Sequence, residues 1–317
     1  MKSKIFVYLF LLAGCSHQDN RGNQIIDNFY DKSITVVAPG STCNDNAMSN
    51  LLNLVKHRKN ITFLPYEGND HKRAKILKRA LLDNNNDIVW TLRGGYGTAK
   101  VIEILYDDKE FMLQMKQKKK YPYVVGYSDI TALHLFLSQE FGWKTIHGSV
   151  FTEVIDQSKD RKNFAAIRKI SDGIKEIKIC GLEPLNKTAA EFNEINGKIT
   201  GGNLSIIQTS IGTRWQIDTK DKILIIEDYQ EKPYKIDRIL NHLKAAGVFD
   251  SVKAVIVGDM YESSNEMKNV VLNFAKNINI PFYSIDVFGH NMYNYPFVYN
   301  ANGRIKAGKL VYLTQNL

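Results

Sequence analysis

The chain has 317 residues, of which 44% are hydrophobic and 24% are charged, so it has enough apolar residues for the cores of about two domains. No apolar stretch reaches the length that a membrane-spanning helix needs. The formal net charge of +9 is spread over scattered runs such as residues 116–120. This pattern indicates solvated faces or affinity for an anionic cell envelope.

The first residues have the pattern of an export signal. Residues 1–4 are basic, residues 5–12 are apolar, and the segment LAGC follows at residues 12–15. This arrangement predicts a signal peptide at residues 1–14. The LAGC segment also resembles the bacterial lipobox, in which the cysteine is lipidated and becomes the mature N-terminus. An ordinary signal peptide with a chance cysteine is the alternative.

Lipidation would make Cys15 a membrane anchor, because buried acyl chains bind a bilayer stably when several are present. We predict a lipidated Cys15 followed by a polar tether over residues 15–30. The protein would then be periplasmic and anchored to a membrane, and Ser16 after the cysteine favours the outer membrane. Nucleic acid is not an expected partner, since an exported protein does not meet it.

Strand-like runs alternate with helical segments in the first half of the chain. The apolar runs are residues 34–39, 61–65, 87–92 and 123–127, and the helical segments that follow them are residues 45–57, 72–82, 99–105 and 130–141. Short continuous apolar strands separated by helices are typical of a parallel sheet covered on both faces. We therefore predict an α/β domain over residues 31–160.

The alternating pattern weakens and becomes polar over residues 161–195, which we interpret as a linker region. A second alternating block follows, with strands predicted at residues 222–226, 254–257, 281–286 and 310–313 and helices at residues 236–245 and 267–275. We predict that residues 196–317 form a second α/β domain.

Ser128 occupies a sharp bend. The apolar run that reaches Gly126 is followed two residues later by this serine, at the point where a helical pattern begins. A serine there can cap the helix by accepting a backbone N–H. It can also be a nucleophile displayed on a strand–turn–helix elbow, as in hydrolases. The bend alone does not choose between these two roles.

Two acids and two histidines follow strand-like runs in the same way. Glu227 and Asp228 end the apolar run at residues 222–226. A buried acid needs a partner, and Asp228 could find one by capping the next helix, whereas Glu227 could not. Among seven histidines, His147 and His290 lie just past strand ends, although a structural role remains the alternative for either one.

Besides Cys15, the chain has two cysteines, Cys43 and Cys180. They could pair in an oxidising compartment, but the sequence does not decide this. Neither has a second cysteine or a histidine at metal-ligand spacing, so we expect no metal site.

Six phrases of the sequence, taken together, resemble one known family. They are RGGYG at 93–97, VGYSD at 125–129, HG at 147–148, GGNLS at 201–205, IED at 226–228 with YKIDR at 234–238, and GH at 289–290 with Pro296. In this order, from about residue 34 to the end, they resemble the LD-carboxypeptidases, the serine peptidases of family S66. Two departures are Val298, where the family has glycine, and Ser149, where it usually has proline.

The resemblance implies that Ser128 is the nucleophile, His290 the base and Glu227 the acid that orients it. Glu231 is a rival for the acid role, but it lies beyond the strand end. The oxyanion hole would use the backbone N–H of Asp129 and one from the glycine pair that follows Arg93, for which we choose Gly95.

Substrate contacts are implied for Arg93, Gly94 and Tyr96, with Asn203 and the Asp129 side chain as weaker candidates. Arg93 would bind the free carboxylate of the substrate, and support of a sheet edge is its alternative role. No cofactor is implied.

The function implied by the resemblance is removal of the terminal D-alanine from murein tetrapeptides, in a cleft between the two domains. Three alternatives remain open. They are endopeptidase action on murein crosslinks, cleavage of a peptide-like bond to a nucleotide as in microcin C self-immunity peptidases, and a non-catalytic lipoprotein that binds peptidoglycan. The sequence also leaves a homodimer open.

Overall fold

The computed structural model describes residues 16–64, 68–260 and 264–314, with side chains from residue 21 on. The predicted signal peptide and Cys15 lie outside these residues. Two sheets organise the described chain, one of six strands and one of eight. The predicted fold class is confirmed, with a parallel-sheet N-terminal domain followed by a second sheet domain.

The first sheet consists of five parallel strands and one antiparallel strand. The parallel strands are β1 (Ile34–Val37), β2 (Ile61–Leu64), β3 (Ile88–Thr91), β4 (Tyr123–Gly126) and β5 (Ile146–His147). The antiparallel strand is β12 (Phe297–Val298), which pairs with β5, so the order is β12-β5-β4-β3-β1-β2. β1 and β3 are buried at every position because helices cover both faces, which is why these strands are continuous apolar runs.

Six helices belong to this part of the chain. They are α1 (Ser16–Asp27), α2 (Asp45–Val55), α3 (Asp70–Leu82), α4 (Thr98–Asp107), α5 (Lys109–Gln117) and α6 (Thr131–Glu140). The side chains of Asn44, Asn69 and Asp108 accept backbone N–H groups at the starts of α2, α3 and α5. Eight consecutive residues of α6 from Thr131 to Ser138 are buried, because α6 lies between α4 and the second domain.

The second sheet has a parallel centre and antiparallel edges. Its parallel strands are β8 (Glu194–Asn203), β9 (Lys222–Glu227), β10 (Ala254–Val257) and β11 (Phe282–Ser284). The antiparallel strands are β6 (Glu176–Cys180), β7 (Glu183–Pro184), β13 (Asn302–Lys306) and β14 (Lys309–Leu313). The order is β6-β14-β13-β8-β9-β10-β11-β7.

Four helices accompany the second sheet, namely α8 (Lys187–Glu191), α9 (Leu204–Ser210), α10 (Pro233–Ala245) and α11 (Asn265–Lys276). The preceding helix, α7 (Arg161–Ser171), packs against the first domain, where the ring centroid of Phe164 lies 6.4 Å from that of Trp90 in β3. Within the part of the chain that the structure describes, no helix is both long enough and apolar enough to cross a membrane.

The segment that we interpreted as a linker is folded. Residues 161–195 form α7, β6, β7 and α8, and β6 and β7 are the two edge strands of the second sheet. β6 alternates buried Ile177 and Ile179 with exposed polar residues, as an edge strand with one solvated face does. The polar residues that suggested a linker therefore lie in part on the solvated face of an edge strand.

The predicted tether is also shorter than expected. α1 covers most of residues 15–30, and Ile25, Ile26 and Phe29 are buried. The Phe29 ring packs against Trp90 of β3, with ring centroids 5.1 Å apart. The folded domain thus begins before residue 31, because these few apolar side chains complete its core.

Candidate active site

Ser128 lies on a strained turn between β4 and α6. Its φ of 63° is in the left-handed region, which costs a residue with a Cβ about 1–2 kcal/mol. A short 3₁₀ turn, Ser128–Ile130, leads from the bend into α6. The N-cap of α6 is Ile130, without any side-chain hydrogen bond, so Ser128 does not cap this helix. The geometry is that of an elbow that displays the serine side chain.

The glycine loop after β3 lies against this elbow. A Cβ added to Gly94 would be 3.0 Å from the Ser128 Cβ and 3.3 Å from its Oγ. Gly95 has a φ of 93°, and a Cβ there would be 2.4 Å from the Oγ of Ser41. Gly94 therefore brings the loop backbone close to Ser128 with little room for a side chain, and Gly95 leaves no room for a Cβ beside Ser41.

Glu227 and His290 form a hydrogen-bonded pair. Glu227 ends β9 and is completely buried, and His290 follows Gly289 in the loop after β11. His290 Nδ1 lies 2.8 Å from Glu227 Oε2. With the Nδ1 proton on this bond, Nε2 is left as the ring atom that can accept a proton.

The pKa of His290 reflects two opposing causes. Burial disfavours the charged imidazolium and lowers the pKa, but the charge of Glu227 and its hydrogen bond outweigh burial, so the pKa is raised above 6.5. His134 gives the contrast within the same protein. It is buried with a backbone carbonyl as its partner, and burial lowers its pKa to about 4.

Two tyrosine rings hold the imidazole of His290. The ring of Tyr229 stacks on it at a centroid distance of 4.6 Å, and the ring of Tyr127 packs at 4.7 Å. Since Tyr127 directly precedes Ser128, the elbow and the Glu227–His290 pair meet at the boundary between the two domains.

A buried polar network below this site escaped the sequence analysis. The hydroxyl of Tyr127 donates to Glu153 Oε1 at 2.5 Å, and Lys159 Nζ lies 3.3 Å from the same oxygen. Burial raises the pKa of Tyr127 well above 10, so this hydroxyl remains a donor. The sequence signal for this network was Glu153, which lies between the apolar residues Phe151 and Val154, an unusual position for a solvent-exposed acid.

Several predicted side chains are engaged within the protein. The Asp129 carboxylate accepts from the N–H of Thr98 at 2.9 Å and from its hydroxyl at 2.6 Å. The Asn203 side chain accepts from Ile206 N and donates to Asp228, while its own N–H donates to the Thr131 hydroxyl. These contacts start α4 and join α9 to α6.

Arg93 and Tyr96 are exposed on the glycine loop. Arg93 donates weakly to the carbonyl of Thr42 at 3.4 Å. Tyr96 is 69% exposed, and the ammonium of Lys100 lies 4.9 Å from the centre of its ring. Both side chains can therefore reach a molecule that binds beside the elbow.

The other acids near β9 have partners of their own. Glu231, the rival for the acid role, pairs with Lys235 at 2.9 Å. Asp228 accepts from the N–H and the hydroxyl of Ser205 at 3.0 and 2.8 Å, so it holds the start of α9 and not of α10. Burial and the neighbouring Glu227 raise the pKa of Asp228 to about 6.

His147 is an interior residue. Its ring is fully buried and stacks on Phe297 of β12, with centroids 4.4 Å apart. Burial lowers its pKa well below 6.5, so the ring is neutral at physiological pH. This histidine joins the C-terminal strand β12 to the first sheet.

Within residues 16–64, 68–260 and 264–314, no cluster of three or more His, Cys, Asp or Glu residues could hold a metal ion. Cys43 and Cys180 are not joined by a disulfide.

Known proteins resemble the chain over most of its length. A putative carboxypeptidase of Rickettsia conorii is 43% identical over 286 residues, which cover 87% of this chain and 89% of the relative. A probable murein peptide carboxypeptidase of Bacillus subtilis is 31% identical over 195 residues, covering 61% of this chain and 58% of the relative.

Solved structures share the fold. The muramoyltetrapeptide carboxypeptidase of Oxalobacter formigenes superposes with a TM-score of 0.72 at 22% identity, covering 88% of this chain and 97% of that one. An MccF-like protein of Bacillus anthracis superposes with a TM-score of 0.76 at 20% identity, covering 89% and 96%. Family models for the LD-carboxypeptidase N-terminal and C-terminal domains match residues 34–148 and 196–305, so the chain belongs to the LD-carboxypeptidase family.

Proposed function

We propose that the protein is a serine LD-carboxypeptidase that removes the terminal D-alanine from murein tetrapeptides. The observation that carries this proposal is the Glu227–His290 hydrogen bond beside the positive-φ elbow of Ser128. Strain at a non-glycine residue is usually retained where it serves a function. The murein peptide carboxypeptidase among the relatives supports the substrate class.

In the proposed mechanism, Ser128 Oγ attacks the carbonyl carbon of the bond before the terminal D-alanine. His290 Nε2 accepts the hydroxyl proton, and Glu227 stabilises the resulting imidazolium through Nδ1. The imidazolium then protonates the amine of the leaving D-alanine. Water, deprotonated by His290, hydrolyses the acyl-enzyme ester and releases the shortened peptide and the free serine.

The negative charge on the tetrahedral oxygen needs two preorganised donors. We assign the backbone N–H groups of Asp129 and Gly95 to this role, each contributing on the order of 3 kcal/mol to the transition state. The close approach of Gly94 to the Ser128 hydroxyl supports a donor from this loop. The Asp129 carboxylate, fixed by Thr98, orients the turn that carries its own N–H.

Recognition of the peptide end is assigned to the loop after β3. Arg93 is exposed there and would bind the terminal carboxylate, and Tyr96 would cover the substrate. Gly94 leaves space for the scissile carbonyl. Asn203 would act indirectly, because its side chain already joins α9 to Asp228.

The other reactions considered from the sequence make different predictions for the same protein. The resemblance to an MccF-like structure, at 20% identity, supports the fold and does not choose the substrate. Incubation with three substrates separates the reactions by mass. These are a disaccharide tetrapeptide, a crosslinked muropeptide dimer and a peptidyl nucleotide. We expect loss of one alanine from the tetrapeptide. The assignment would be overturned if the tetrapeptide stays intact while the crosslinked dimer or the peptidyl nucleotide is cleaved.

Attachment to a membrane is a separate proposal. Lipidation of Cys15 would place the enzyme in the periplasm, anchored to the outer membrane, where murein peptides are present. Radiolabelled palmitate should be incorporated into the wild-type protein and not into Cys15→Ser. Labelling that survives this substitution would contradict the anchor without affecting the proposed reaction.

A further inference from the structure

The loop that carries His290 is fastened to a buried lysine from a distant part of the chain. Lys159 Nζ donates to the backbone carbonyl of His290 at 2.5 Å and to that of Asn291 at 2.9 Å. The lysine side chain is only 8% exposed, and its ionic partner Glu153 is 9% exposed. The ammonium is therefore held by the carboxylate on one side and by two carbonyls of the histidine loop on the other.

Further hydrogen bonds join the same two segments. The N–H of Asp160 donates to the carbonyl of Met292 at 3.0 Å. The Asn163 side chain donates to that same carbonyl at 3.0 Å and accepts from the N–H of Asn294 at 3.2 Å. The loop from His290 to Asn294 is thus bound along its length to residues 159–163, near the start of α7.

The network also reaches the other side of the imidazole. Glu153, which pairs with Lys159, accepts from the hydroxyl of Tyr127, and the ring of Tyr127 packs against the His290 ring. The backbone of His290 and one face of its ring are consequently fixed by the same ion pair. Glu227 fixes only Nδ1, through a single hydrogen bond, and does not hold the backbone of His290.

We propose that Lys159 is a positioning residue for His290, which keeps the imidazole aligned between Glu227 and Ser128 while its charge changes during the reaction. The inference rests on the proposed function, because alignment matters only if His290 exchanges protons with Ser128. A merely structural role, in which Lys159 only joins two parts of the fold, is the competing explanation.

The network also acts on the charge state of His290, which gives the test a readout besides folding stability. Burial and the ammonium of Lys159 lower the pKa of His290, whereas Glu227 and Glu153 raise it. The titratable groups that face His290 from the surrounding elements are Glu227, Glu153, Lys159, Tyr127, Tyr229 and His147, and Asp259 packs against the preceding Gly289. Lys159→Met should move the acid limb of kcat/KM to higher pH, and Glu153→Gln should move it to lower pH.

Lys144→Met is the matched control. Lys144 is also buried, and its ammonium donates to the backbone carbonyl of Thr314 at 3.2 Å, in a different part of the fold. With a disaccharide tetrapeptide as substrate, we expect Lys159→Met to lower kcat by about tenfold to a hundredfold, with KM within about threefold. Lys144→Met should lower the melting temperature and leave the pH profile unchanged.

An NMR titration of the His290 ring in the full-length protein gives a readout that needs no turnover. Lys159→Met should raise the titration midpoint, Glu153→Gln should lower it, and Lys144→Met should leave it unchanged. If Lys159→Met does not fold, the test uses Glu153→Gln, for which the titration midpoint of His290 should fall.

The inference is overturned if Lys159→Met has the same kcat as Lys144→Met and the same acid limb of kcat/KM. It is also overturned if neither Lys159→Met nor Glu153→Gln changes the titration midpoint of His290. A wild-type protein that releases no alanine would instead refute the proposed function, and the NMR titration would still report on the contact between Lys159 and the histidine loop.

Discussion

Replacing Glu227 by glutamine removes the charge that orients the proposed base while keeping the volume of the side chain. In the wild-type protein the carboxylate lies 2.8 Å from His290 Nδ1 and is completely shielded from solvent. A pair of unit charges about 4 Å apart at an effective dielectric constant of about 20 interacts by on the order of 4 kcal/mol. Because the imidazolium forms only as the reaction proceeds, losing this attraction should lower kcat by roughly 10³-fold.

The same substitution predicts a direction for the pH profile. Without the carboxylate, burial would dominate, and the pKa of His290 should fall below 6.5, as burial lowers that of His134 to about 4. The acid limb of kcat/KM should therefore move to lower pH in Glu227→Gln. Stability should respond as well. Protonated His290 stabilises the wild-type fold fully below pH 6.5, and this contribution is lost as pH rises through the raised pKa.

The assay is release of alanine from a disaccharide tetrapeptide over a range of pH, with Glu231→Gln as the control. Glu231 precedes α10 and pairs with Lys235, so its substitution should leave kcat within about twofold. A Glu227→Gln variant that keeps more than about a tenth of wild-type turnover would refute the reasoning, as would an acid limb that moves to higher pH.

Three further predictions follow from the elbow and the domain boundary. Gly94→Ala would put a Cβ 3.3 Å from the Ser128 hydroxyl oxygen and should lower kcat at least tenfold while the melting temperature stays close to wild type. A variant that keeps wild-type kcat, or whose loss of kcat is explained by a lower melting temperature, would contradict this prediction. In urea, the free energy of unfolding of Ser128→Gly should exceed that of Ser128→Ala by about 0.5–1 kcal/mol, because glycine adopts the positive φ without strain. A glycine variant that is less stable than the alanine variant would argue against strain at this position. Asn203→Ala should lower the free energy of unfolding by about 2 kcal/mol, because it removes one of the donors to the buried Asp228 and the side-chain cap of α9; a variant that loses activity at unchanged stability would instead place Asn203 at the substrate.

The strands of the first sheet could be predicted because they are buried on both faces. β1, β3 and β4 read as short continuous apolar runs, and the glycines after β3 and at the end of β4 marked the loops at their carboxyl ends. The same logic marked Ser128 and Glu227 as candidates, because each lies where a buried strand ends, and the resemblance to the LD-carboxypeptidases then implied their roles.

Edge strands and long-range contacts could not be predicted in this way. β6 is half solvated and β12 has only two residues, so neither has the composition of a buried strand. The contact of Lys159 with the His290 carbonyl joins residues 131 positions apart, and nothing in the local sequence distinguishes that lysine from a surface one. Such residues are identified only when the two domains are seen together.

The most direct test of the account compares alanine release by the wild-type protein and by Ser128→Ala from the same disaccharide tetrapeptide. We predict that the wild-type protein shortens the peptide by one alanine, and that the variant, with unchanged circular dichroism, is slower by at least about 10³-fold. Full activity in Ser128→Ala would show that another group attacks the peptide, and it would contradict the central role given to this serine.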